Sequence, residues 1–187
     1  MTLRNDIVHP FDFTKGLRTL MLVGRYKDGV RRHRRAIRVS ADSHCFNKQL
    51  AELRELHVPG ERIYACAAQR NMTGAVRDLK ERMLANDYDQ YPDWFYTKLD
   101  KRWVSCVMSA TLRRDVVWLA DLDTEREEAH FRAQYDDMVE AGTAMPIIHE
   151  YQTKNGLHIV ISPFDIEGLE EETVSYINRN PLLLWSY

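Results

Sequence analysis

Two runs of strand-forming residues, PIIHEYQ (146–152) and LHIVIS (157–162), flank the dipeptide Asn155-Gly156. Asn-Gly supplies the positive φ angles of a two-residue hairpin turn, so the spacing predicts an antiparallel pair. In that register Lys154 stands opposite Leu157, and Thr153 stands opposite His158 on one face. Upstream, DVVWLADLD (115–123) has the make-up of a strand. TERE (124–127) follows as a capping box, Thr124 capping a helix and Glu127 reaching back. That helix runs to about Gly142 with Phe131, Tyr135, Met138 and Val139 on one side. Downstream, EGLEEETVSYINRN (167–180) reads as a helix with Leu169, Val174 and Ile177 inward, and PLLLWSY (181–187) reads as a closing strand.

The order over 113–187 is therefore βαββαβ, the succession of ferredoxin-like, RRM-like and palm-type modules with an antiparallel sheet. Right-handed crossovers then set the first and third strands side by side at its centre. Residues 1–112 form an N-terminal α/β module expected to pack on the first as one cooperative unit, α+β overall. Its opening, 17–39, reads as a β-hairpin around Asp28-Gly29. FNKQLAELREL (46–56) follows as a helix with Phe46, Leu50, Leu53 and Leu56 on one face. RIYACAA (62–68) is a strand, and TGAVRDLKERML (73–84) a helix with Val76, Leu79 and Met83 inward. Pro92 suits the first turn of a helix carrying Phe95, Leu99, Trp103 and Cys106.

Charge is segregated along the chain. Residues 1–40 carry ten Lys/Arg against three acids, and the remaining 147 carry sixteen against 25. A basic end and an acidic end suit a chain that handles a polyanion at one place and a cation at another, and they equally suit a solvated surface. Five arginines, Arg31, Arg32, Arg34, Arg35 and Arg38, crowd the second hairpin strand beside Tyr26. Such a ribbon can follow a nucleic-acid backbone, or it can keep an edge strand from pairing. The aromatic cluster DQYPDWFYTKLDKRW (89–103) reads mainly as core by its helical spacing. Cys45, Cys66 and Cys106 lie far apart without a CxxC, which points to a reducing, cytoplasmic setting. No apolar run approaches the ~20 residues of a membrane span, and MTLRNDIVHP lacks a signal-peptide block. His44, His57, His130 and His149 show no ligand spacing, and no GxSxG or cysteine motif supports a hydrolase of those kinds.

The chemistry concentrates where the predicted sheet gathers side chains. Asp121 and Asp123, two apart on a strand, point to one face ~7 Å apart along the chain. Antiparallel pairing brings the start of the third strand, and with it His158, beside them. Two carboxylates on one face repel unless a cation lies between them, and Mg²⁺ or Mn²⁺ with oxygen ligands is the usual solution. His158 can then donate to a phosphate oxygen, with Thr153 and Lys154 close by. The plainer reading is that the acids end a strand at the surface and start a helix.

WLADLDTE resembles the hhhDhD first motif of the archaeo-eukaryotic primase superfamily, the catalytic core of primases and primase-polymerases. TKNGLHIVI is similar to that family's second motif, a small polar residue, a glycine and then a histidine on a strand. RIYACAAQRN is more loosely similar to the strand that carries a basic residue in the N-terminal half of such cores. The resemblance covers about 62–162 in the family's order. It implies a metal-dependent nucleotidyltransferase in which Asp121 and Asp123 bind Mg²⁺ or Mn²⁺ and His158 contacts the phosphates of a nucleoside triphosphate. It also implies Arg70 as a phosphate contact, single-stranded DNA or RNA as template, and a helicase or other replication protein as partner. The chain departs from the family at the third acid, carried on a later strand. Asp165 lies ~20 Å of extended chain beyond His158. The residues expected beside the end of the first strand are NRNP (178–181), where Asn178 or Asn180 offers only an amide oxygen. A catalytically reduced nucleotide- or nucleic-acid-binding protein, and a metal-dependent phosphoesterase or nuclease using the same acids, are the alternatives.

Overall fold

The computed structural model describes residues 7, 10, 17–24, 34–84, 99–109, 113–114, 116–179 and 181–186. The Asp28-Gly29 turn, Tyr26, Arg31, Arg32, Pro92, Phe95 and Asn180 lie outside these residues, as do the side chains of Arg34 and Arg35. The elements run β1 (Arg18–Gly24), β2 (Arg34–Ser40), α1 (Ser43–Leu56), β3 (Glu61–Cys66), β4 (Gln69–Arg70), α2 (Met72–Leu84), α3 (Leu99–Val107) and β5 (Arg113–Arg114). They continue with β6 (Trp118–Leu122), α4 (Glu125–Glu140), β7 (His149–Gln152), β8 (Leu157–Ile161), α5 (Glu171–Ser175), β9 (Ile177–Asn178) and β10 (Leu182–Ser186). The protein is mixed α+β, built on antiparallel sheets. It divides into two compact units, one drawn from 12–115 with 183–187 and the other from 116–182. Among the described residues no helix is long and apolar enough to cross a membrane.

In the first unit β1 lies between β2 and β3, antiparallel to both, and β10 flanks β3 on its other side. A strand flanked on both edges and covered on both faces reads as an unbroken apolar run, and LMLV in β1 is one. Asp42 caps α1 by accepting from the Cys45 N–H at 2.8 Å, and Phe46, Leu50 and Leu53 are buried. Leu56, expected on the same face, is exposed in the last turn. The face of α2 is rotated from expectation. Gly74 and Ala75 are its buried residues and Val76 is exposed, with Ala75 packed in a cluster with Leu17 and Val107.

In the second unit the sheet order is β7-β8-β6-β9, antiparallel throughout. β6 and β8, the first and third strands of the unit, are central neighbours, as the element order predicts. One face buries Ala120, Leu122, Leu157, Ile159 and Ile161 with Phe131 and Tyr135 of α4. The capping box forms as read from TERE. Thr124 Oγ1 accepts from the Glu127 N–H at 3.2 Å, and Glu127 Oε2 accepts from the N–H groups of Thr124 and Asp123.

Two expectations are corrected here. The closing strand β10 belongs to the sheet of the first unit, and the short β9 takes the place beside β6. Adjacent residues on a strand point to opposite faces. Leu183 and Leu184 are both buried, so β10 needs a position covered on both sides. The helix expected over 167–180 shrinks to the five residues of α5. Glu170 makes no side-chain cap, and the Tyr176 carbonyl already accepts from the Asp121 N–H at 3.0 Å, drawing the chain into the sheet.

Candidate functional site

The face of the second sheet opposite α4 carries Leu119 and Asp121 from β6, His149 and Tyr151 from β7, and His158 and Val160 from β8. This follows from strand alternation and the observed registers. Asp121 pairs directly with His158 across β6 and β8. His158 Nε2 lies 2.9 Å from Asp121 Oδ1, with the histidine side chain 12% exposed and the aspartate 59% exposed. On the other side of the ring, His158 Nδ1 lies 2.9 Å from the Tyr151 hydroxyl. The Tyr151 ring meets His158 edge-on, centroids 5.1 Å apart, and stacks on His149 at 5.6 Å.

The loop carrying Asn155-Gly156 has four residues, not two. Gln152 pairs with Leu157 and Tyr151 with His158, which corrects the position assigned to Thr153. Thr153 closes the loop instead. Its N–H donates to the Gly156 carbonyl at 2.7 Å, and its Oγ1 accepts from the N–H groups of Gly156 and Asn155. Its hydroxyl is thereby used within the loop. Gly156 is not among the positive-φ glycines, so the turn reading misstated why glycine stands there. A Cβ at 156 would strike the Leu122 carbonyl oxygen and stand 2.8 Å from Asp123 Cα. The loop lies flush against the end of β6, and glycine is the residue that permits it.

Asp123 follows β6 directly and is exposed, its N–H held by Glu127 Oε2 at 2.7 Å. Lys154 is exposed in the loop. Asn178, opposite Leu119, is exposed on the Asp121 face of the sheet. Arg70 belongs to the first unit, where it is 3% exposed. Its Nη1 donates to the Ser109 carbonyl at 3.3 Å and its Nη2 lies 3.2 Å from Cys66 Sγ, so the guanidinium is engaged inside that unit. Arg34 and Arg35 lie in β2 opposite Gly24 and Val23. Arg38 forms an ion pair with Glu52 at 3.2 Å.

Asp121 and Asp123 offer two exposed carboxylates at one end of the sheet. Among the described residues no group of three or more His, Cys, Asp or Glu side chains could hold a metal ion. This donor set does not make a protein cage. Asp121, Asp123 and His158 do not form such a group. Tyr151 was absent from the sequence-derived site. Thr153 was the available signal, since a hydroxyl two residues before Asn155 can close a four-residue loop and slide the register by two. No family model matches the chain, and no curated protein or solved structure matches it.

Proposed function

We propose that this chain is a divalent-metal-dependent nucleotidyltransferase of the primase-polymerase type, acting on nucleoside triphosphates and single-stranded nucleic acid in the cytoplasm. The observation that carries the reading is the direct pairing of Asp121 with His158 on the two central strands, at the end where Asp123 emerges. The strand order β7-β8-β6-β9 and the succession βαββαβ support an RRM-like, palm-type module as its frame. Asp121 and Asp123 would hold Mg²⁺ or Mn²⁺, which when bound polarises a phosphoryl oxygen and offsets developing charge. With Asp121 turned to the metal, His158 Nε2–H would be left to donate to a phosphate oxygen, and Lys154 would add a positive charge from the adjoining loop. Arg31, Arg32, Arg34, Arg35 and Arg38 would supply the positive charge that engages the polynucleotide. A helicase or other replication protein is the partner class this activity implies.

The direct test is incorporation of labelled nucleotides on a single-stranded template with Mn²⁺. Incorporation by the native chain and none by D121A/D123A supports the reading. No incorporation, or equal incorporation by both, overturns it.

A second reading is favoured by one observation, that among the described residues no three His, Cys, Asp or Glu side chains are grouped to hold a metal ion. It makes the chain a catalytically reduced binder of nucleotide or single-stranded nucleic acid. Calorimetry separates the two, since nucleotide binding without metal belongs to the reduced form. Release of nucleotide products without synthesis would indicate a phosphoesterase or nuclease instead.

A further inference from the structure

We propose that Tyr151 is a positioning residue of this site, holding His158 in the tautomer that carries its proton on Nε2. An ionised carboxylate accepts hydrogen bonds and cannot donate, so the ring nitrogen 2.9 Å from Asp121 Oδ1 is the protonated one. In the neutral ring Nδ1 is then an acceptor, and the Tyr151 hydroxyl, 2.9 Å away, donates to it. Phenol, imidazole and carboxylate form one directed chain across three adjacent strands, from β7 through β8 to β6.

The surroundings suit this role. Tyr151 is 8% exposed and the His158 side chain 12%, so little water competes for Nδ1. The His149 ring stacks on Tyr151, and the edge-on contact between Tyr151 and His158 fixes their mutual angle. Only the Asp121 end of the chain is well exposed. Tyr151 thus keeps the proton on Nε2, directed at Asp121, where an arriving anionic oxygen would accept its hydrogen bond once Asp121 turned to a metal ion. That the arriving group is a nucleotide phosphate rests on the function proposed above; the tautomer does not.

A tyrosine that only filled space would leave the imidazole indifferent to its hydroxyl. The test uses the full chain with ¹⁵N-labelled histidine, and H158N assigns the His158 signals. Long-range ¹H–¹⁵N spectra of the neutral ring should show Nε2 protonated and Nδ1 as a bare acceptor. In Tyr151→Phe, which keeps the ring and its packing, the two nitrogen shifts should move toward each other as both tautomers populate. Binding of ATP with Mn²⁺ should weaken about tenfold, the loss of roughly one hydrogen bond to a charged group. A native spectrum with the proton on Nδ1, or a Tyr151→Phe spectrum identical to the native one, overturns the proposal. A shifted tautomer in a chain that binds no ATP with Mn²⁺ upholds the positioning role and removes the nucleotide reading.

Discussion

Gly156 rests against the backbone of Leu122 so closely that its missing Cβ would meet the Leu122 carbonyl oxygen, with Asp123 Cα at 2.8 Å. This contact joins the loop before β8 to the end of β6, and it lies between the two residues that matter most to the site. Asp121 precedes Leu122 by one position, and His158 follows Gly156 by two. The loop and the acid pair are thereby held as one piece of backbone.

Gly156→Ala should therefore be costly although it adds a single methyl. The clash is with main chain, which cannot step aside as a flexible side chain can. Forcing extra volume into such a place costs about 1–3 kcal/mol. Urea unfolding of the full chain should show a loss in that range, whereas Gly142→Ala meets no atom within 4 Å and is opposed only by its φ of +74°. Equal stability of Gly156→Ala and the native chain would contradict the close approach.

Asp121→Asn should separate binding from stability. The side chain is 59% exposed, and an exposed pair contributes only about 0–1 kcal/mol. The amide oxygen can still accept from His158 Nε2–H, so the melting temperature should barely move. Mn²⁺ binding, followed by the electron-spin signal of the free ion, should be lost. A variant that still binds Mn²⁺ like the native chain would remove Asp121 from the metal site.

Thr124→Ala tests the device that fixes Asp123. It deletes the oxygen that accepts from the Glu127 N–H, and loss of such a cap costs about 1 kcal/mol. Thr124→Ser should restore most of it. The informative readout is Mn²⁺ affinity, which should fall with the alanine and recover with the serine, because Glu127 also holds the Asp123 N–H.

Tyr135 should give the second unit an alkaline limit. Burial, and secondarily the negative charge of Asp136, push its phenol up to about 12 from an ordinary value of 10.0. The unfolded chain loses this proton near pH 10 and the folded chain keeps it to about 12. Between those values the folded state binds more protons, so stability present below pH 10 declines as pH rises toward 12. Tyr135→Phe should abolish that part of the decline. At neutral pH it should cost about 1 kcal/mol, because the hydroxyl donates to the Met145 carbonyl at 2.6 Å. An unchanged slope above pH 10 would show that Tyr135 is not the group responsible.

Much of the second unit was legible because its signals are local. The Thr124–Glu127 cap closes within four residues, and the apolar spacing of Phe131 and Tyr135 needs only helical geometry to define a buried face. The succession of strands and helices then set Asp121 beside His158, since few arrangements of βαββαβ are open to a right-handed chain. The partner of His158 was less accessible. Asn155-Gly156 is compatible with a loop of two residues or of four, and the choice moves Tyr151 into the place of Thr153.

What was not legible depended on space left by distant backbone. Ala75 faces inward, packed with Leu17 and Val107, and Val76 faces outward, a choice set by partners far away in the chain. β10 leaves the second sheet because two adjacent leucines need cover on both faces. The chain's own order specified a strand ending in two aspartates, a capped helix after it and a histidine strand alongside. Tertiary structure decided that tyrosine stands across from that histidine and that glycine must precede it. The Leu122 carbonyl occupies the volume a side chain at 156 would need, and spacing along the chain does not encode that contact.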